Sequence, residues 1–198
     1  MKQQGIAMKK QDFALFIILV VIFLISPGGF ADDGNCINGD CVNGYGTLVY
    51  RYAKYTGDFQ NGLPHGQGVL TLINGARFTG LFMNGKQHGH GVFIFADGSK
   101  YVGEWRNGRM EGHGSFTFAD GEKYVGNWKD GMMHGHGTLI GIDGTKYIGE
   151  FYCNDKHGKG MEVLRNGEKK VGYWNLNQYI GKEFQSRNCK PSKTFILI

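Results

Sequence analysis

Histidine offers the most obvious chemistry in this chain. All seven His fall into two series with a spacing of 23 residues. One holds His65, His88, His134 and His157, with Glu111 at the missing step; the other holds His90, His113 and His136. The pairs His88-Gly89-His90 and His134-Gly135-His136 have the density of a metal site. The spacing argues against one. If each period supplies two strands, equivalent side chains in successive periods stand about 9.5 Å apart. Zinc holds its nitrogen ligands at about 2.0–2.1 Å. No metal is expected, and a simpler role is that these imidazoles hydrogen-bond backbone in a tight Gly-rich connection.

The remaining reactive types do not assemble either. Asp58, Glu104 and Glu150 recur singly, with the look of a solvated strand face, and make no paired-carboxylate hydrolase. No Ser-His-Asp or Cys-His grouping stands apart from the period. Neither a GxGxxG entering a helix nor a GxxxxGK[ST] is present, so nucleotide binding and cofactors are not expected. The formal net charge of +5 is small and dispersed, with no run of Lys or Arg, which excludes the basic cluster of a nucleic-acid binder. Aromatic content of 14% excludes a disordered chain. The chain is expected not to be an enzyme.

What must position these residues is a repeat. The chain holds 34 Gly and 3 Pro in 198 residues, well above the roughly 7% Gly of average usage. Tyr55, Phe78, Tyr101, Tyr124 and Tyr147 are evenly spaced. Two residues on lie Gly57, Gly80, Gly103, Gly126 and Gly149, and two further on Phe59, Phe82, Trp105, Trp128 and Phe151. Between 55 and 172 every glycine except Gly141 falls in such a column. Every period carries one Asx-Gly pair, such as Asp120-Gly121, and four carry a second, such as Asn107-Gly108, which suit tight turns between antiparallel strands. Segments between them alternate with period two. Each unit therefore reads as one β-hairpin, with a tight turn at Asx-Gly and a longer loop around His-Gly-x-Gly. In Tyr101-x-Gly103-x-Trp105 the three residues share a face. The bare Gly leaves room for a ring from the adjacent hairpin. A lone hairpin is marginal in water, and stacking buries the aromatic stripe. The expected fold is all-β: a single-layer, elongated antiparallel sheet of stacked 23-residue hairpins.

The pattern Tyr-x-Gly-x-Trp-x-x-Gly-x-x-x-Gly-x-Gly resembles the MORN repeat (membrane occupation and recognition nexus). The resemblance covers 55–174, as five full units and a partial sixth. Residues 32–54 read as a degenerate first unit or cap, and 175–198 as a C-terminal cap or tail, whose apolar end Phe195–Ile198 is a candidate closing strand. Asn154 in place of Gly, Lys170 in place of Tyr, and Glu162 and Arg165 in a strand mark the terminal unit as atypical. The resemblance implies a non-catalytic scaffold that binds a protein partner or self-associates; the alternative it implies is a peripheral, phospholipid-associated protein. The candidate binding surface is the stripe Tyr101, Trp105, Tyr124, Trp128 and Phe151, since a single layer cannot cover both its faces.

Ahead of the array, Lys2, Lys9 and Lys10 precede an apolar run from Phe13 to Ile25, then Ser26-Pro27-Gly28 and Gly29-Phe30-Ala31, with small residues at −3 and −1 of a cleavage site. As helix this run spans only about 20 Å, against a bilayer core of roughly 30 Å. Residues 1–31 therefore read as a signal peptide, which makes the chain periplasmic or secreted; an uncleaved N-terminal membrane anchor is the alternative. Four Cys in an exported chain suit structural disulfides. Cys36 and Cys41 are close enough for a small closed loop, and Cys153 and Cys189 could form a second bridge; three pairings exist in all.

Overall fold

The computed structural model describes residues 34–182. The candidate signal peptide, Cys189 and the Phe195–Ile198 end lie outside them. Fourteen strands follow one another: β1 (Asn35–Gly39), β2 (Tyr45–Val49), β3 (Ala53–Gln60), β4 (Leu63–Leu72), β5 (Arg77–Met83), β6 (Lys86–Ile94), β7 (Lys100–Arg106), β8 (Arg109–Thr117), β9 (Lys123–Lys129), β10 (Met132–Ile140), β11 (Lys146–Tyr152), β12 (Asp155–Val163), β13 (Lys169–Asn175) and β14 (Gln178–Gly181). They form one antiparallel sheet in sequential order, as a chain of hairpins dictates.

Two kinds of turn alternate. After β7 the pair Asn107-Gly108 has φ of 51° and 81°, the doubly positive geometry whose twist matches the flanking strands. The fifth unit keeps this turn although Cys153-Asn154 replaces Asx-Gly, with φ of 52° and 72°. Asn tolerates that region, and Asn154 Oδ1 also accepts the Met133 N–H at 2.8 Å, tying the turn to the unit before it. At the other sheet margin only the glycine is left-handed, as at Gly121 with φ 96°. Its Asx partner works through its side chain: Asp120 Oδ1 accepts the Glu122 N–H at 2.9 Å.

The expected loop at His-Gly-x-Gly is instead strand. β8 runs through Glu111-Gly112-His113-Gly114, and the ladder absorbs the surplus as a bulge: Glu104 opposes Glu111, while its neighbour Gly103 opposes Gly114. Where an acid faces the bulge it takes up a strand N–H: the His113 N–H donates to Glu104 Oε1 at 2.9 Å. Asp58 does the same for Gln67, and Glu150 for Lys159. These acids lie on the face opposite the rings, as expected, and serve there as structural acceptors.

The core is one face of this sheet. Tyr55, Phe78, Tyr101, Tyr124 and Tyr147 are all 0–1% exposed. Each Tyr lies back over its own strand and the next. Gly103 and Gly114 are cross-strand partners, and a Cβ on Gly114 would stand 2.3 Å from the Tyr101 hydroxyl oxygen and 2.5 Å from its ring. Gly57, Gly80, Gly126 and Gly149 pair with glycine across the ladder in the same way. The ring thus belongs to the same hairpin as the glycines it covers, which corrects the expectation of a ring donated by the neighbour.

The ends replace this ring with other groups. At the first strands Gly46 pairs with Gly57, and what approaches it is Cys41 Sγ, 2.9 Å from where its Cβ would be. Cys41 is held there by a disulfide to Cys36, with Cα atoms 6.0 Å apart. At the last strands Lys170 stands in the ring column, and Tyr179 of β14 covers Gly172 from the other side. Short outer strands are the usual way of blunting a sheet edge, and β1 and β14 have 5 and 4 residues.

Gly114→Ala is expected to cost about 2–3 kcal/mol, the upper part of the range for overpacking a closed core. Gly98→Ala, where no atom lies within 4 Å but φ is +86°, is expected to cost about 1 kcal/mol. Urea unfolding of the two variants measures the difference; equal costs would refute the ring-over-glycine packing.

Candidate binding surface

The five rings singled out from sequence are brought together, but not at a surface. Tyr101, Trp105, Tyr124, Trp128 and Phe151 are between 0 and 5% exposed. Each meets two others edge to face. Tyr101 lies 5.3 Å from Trp105 of its own unit and 5.2 Å from Trp128 of the next, at interplanar angles of 87° and 81°. The alternation continues from Phe59 and Tyr55 through Phe82, Phe78, Trp105, Tyr101, Trp128, Tyr124, Phe151 and Tyr147 to Trp174 and Tyr179. Such contacts are the favoured geometry of aromatic pairs. The stripe is a spine, because rings that close over glycines of their own hairpin cover themselves without a second layer. The expectation that these rings lie partly open as a surface is therefore corrected: they are buried in the core.

The phenols are also committed. The hydroxyls of Tyr101, Tyr124 and Tyr147 donate to carbonyls three residues on, at 2.9–3.0 Å. Burial pushes the pKa of Tyr55, Tyr101, Tyr124 and Tyr147 well above the ordinary 10.0, with Asp58, Glu104 and Glu150 adding repulsion at the first, second and fourth.

The histidines sit on the opposite face. His90, His113 and His136 are exposed and stand across the ladder from Glu104, Asn127 and Glu150. At three of these histidines the ring Nδ1 does not bond backbone as expected. His113 Nδ1 reaches Asn127 Oδ1 at 3.4 Å, whereas Nδ1 of His65 and His88 has no partner. It is the peptide groups of this segment that carry the bonding, including the carbonyls of His65 and His157, which accept tyrosine hydroxyls. Among the described residues no three His, Cys, Asp or Glu side chains group so as to hold a metal ion.

Two rows on this outer face went unread in the sequence. One is mostly aliphatic or β-branched, interrupted by Ser115, running across the strands through Val92, Val102, Ser115, Val125, Thr138, Ile148, Met161 and Val171. Val102, Ile148 and Val171 are 43%, 38% and 53% exposed. The other is cationic: Lys54, Arg77, Lys100, Lys123, Lys146 and Lys169, all exposed. Single residues separate them, namely Thr71, Ile94, Thr117, Ile140 and Val163, each directly paired with the cation on either side. The charge is dispersed along the chain but aligned across the sheet. The signal was available: a cation stands immediately before every position of the Tyr55 column.

A family model described as MORN repeat matches residues 55–77, 78–100, 101–123, 124–146 and 147–169. No curated protein matches the chain. Among solved structures, the TCP domain of Drosophila melanogaster SAS-4 (dCPAP), in complex with a proline-rich motif of Ana2 (dSTIL), is similar with a TM-score of 0.40 and 10% identity, over 71% of this chain and 90% of that one. The TCP10 domain of Danio rerio CPAP, in complex with a STIL peptide, has a TM-score of 0.26 and 14% identity, over 64% of this chain and 63% of that one. Likenesses of this strength carry no argument about function.

A phenol whose folded pKa is raised contributes stability that is whole below its unfolded value and is lost as pH rises past it. The array is expected to hold to about pH 10 and weaken above it. Phenolate absorbance followed against pH is expected to show these four tyrosines ionising only as the sheet unfolds. Their smooth titration in a folded sheet would contradict their burial.

Proposed function

Because the chain belongs to the MORN-repeat family, we propose that it is a non-catalytic scaffold that binds a protein partner, and that it does so through the outer face of its sheet. The observation that carries this reading is the closed spine. With the rings spent on the core, the large apolar side chains left in regular array are those of the Val102–Val171 row, and contiguous exposed apolar surface marks interaction sites. The recurring geometry of the acids supports a non-catalytic reading too, since Asp58, Glu104 and Glu150 are occupied with backbone N–H groups. A second copy of the chain is one partner that this surface could take, and the N-terminal segment would export or anchor the scaffold.

The cation row favours a second reading, attachment to an anionic phospholipid surface. A Lys or Arg close to such a surface contributes about 1 kcal/mol. No helix of the described residues is long and apolar enough to cross a membrane, so this reading is one of peripheral contact.

Cross-linking capture by the protein and by a Val102→Ser, Ile148→Ser, Val171→Ser variant tests the first reading. The expected result is a partner that the native protein captures and the variant loses, with the urea midpoint of the variant close to native. Capture unchanged in the variant would overturn the assignment of this face. Flotation with phosphatidylserine vesicles at low salt tests the second reading, which falls if nothing floats.

A further inference from the structure

The cation row has a fixed pitch. One cation per hairpin puts neighbours two strands apart, about 9.5 Å, so six span about 48 Å in a line. Among the described residues the ion pairs are Arg109–Asp130 and Lys156–Glu162, and neither uses a row cation. The nearest turn carboxylates are engaged within their own turns: Asp97 with Ser99, Asp120 with Glu122 and Asp143 with Thr145. Between the cations lie only Thr, Ile and Val, with the aliphatic row alongside.

A ligand complementary to this line is itself linear, anionic at the same pitch and apolar between its charges. A polyproline II helix has 3 residues per turn and rises about 3.1 Å per residue, so every third residue recurs on one side at about 9.3 Å. We infer that the row Lys54–Lys169 is a docking track for an extended acidic segment of a partner protein, in polyproline II form, with Asp or Glu at every third position. The segment crosses the strands, its carboxylates on the cations and its proline rings against Thr71, Ile94, Thr117, Ile140 and Val163. A sheet's twist turns such a row progressively; a thread follows it, whereas a planar bilayer meets a few cations at once. The inference rests on the protein-binding reading above and names the chemistry of the partner.

The test uses the full chain and a labelled peptide of six Pro-Pro-Glu triplets, followed by fluorescence anisotropy at low salt. Controls are six Pro-Pro-Gln triplets and a peptide of the same composition as the first with its glutamates gathered in one block. The expected result is binding of the Pro-Pro-Glu peptide that weakens with salt and exceeds that of both controls. A Lys100→Gln, Lys123→Gln, Lys146→Gln variant, whose changes are all at exposed positions, should bind on the order of tenfold more weakly, as three exposed ion pairs imply. Equal binding of the blocked peptide would overturn the pitch match, and unchanged binding by the variant would overturn the site. Retention of phosphatidylserine vesicles with no peptide binding would assign the row to a bilayer and overturn the inference as well. If the peptide fails while the aliphatic-row variant still loses a captured partner, the track falls and the protein-binding reading stands.

Discussion

A tyrosine ring lying flat on a pair of facing glycines is the contact on which the rest of this structure depends. A single sheet has no second layer to cover its apolar face, and the spine solves that problem within the layer. The Tyr101 ring needs bare backbone at both Gly103 and Gly114, so two columns of glycine follow from one column of rings. Once the ring lies flat, its edge is free to meet the next aromatic at about 5 Å. Stacking hairpins then extends a core of constant width. Each unit contacts chiefly its neighbours, which is how a repeat array spreads its stability along its length.

The same constraint explains which departures the array tolerates. In the fifth unit Met and Leu of the inner face become Lys156 and Glu162, and the two arrive as an ion pair, each side chain 19% exposed. Lys156 also stands 5.1 Å above the Tyr147 ring, so a half-buried charge keeps both a counter-ion and an aromatic face. Lys170 removes a ring, and Tyr179 supplies one from the following strand, its hydroxyl donating to the Val171 carbonyl at 3.1 Å. At the other end the Cys36–Cys41 disulfide fills the place over Gly46. Chemistry changes at the ends while the space over the glycines stays filled.

The hairpin order and both turn positions were legible in the sequence because they are local and repeat without insertion, and so was the matching of rings to glycines, though not which hairpin supplies the ring. Three features were not. The His-Gly-x-Gly segment looks like a loop, since two of its residues are glycine, yet a bulge absorbs its surplus within the ladder, as where Glu104 opposes Glu111 and Gly103 opposes Gly114. The rings looked like a surface because coverage of one face of a layer depends on how rings fold back, which alternation does not specify. The cations looked scattered because residues 23 apart become neighbours only after pairing. In each case the missing information was a cross-strand relation.

The central claim, that tyrosine rings close over glycines of their own hairpin, can be read directly in solution. Protons above a ring face resonate upfield, so the Hα signals of Gly68, Gly114, Gly137 and Gly160 should be shifted strongly upfield in the folded protein. Those of the turn glycines Gly75, Gly98, Gly144 and Gly167, which have no atom within 4 Å of their would-be Cβ, should stay at ordinary positions. Ordinary shifts at all eight glycines would contradict the packing from which the fold and its free outer face are derived.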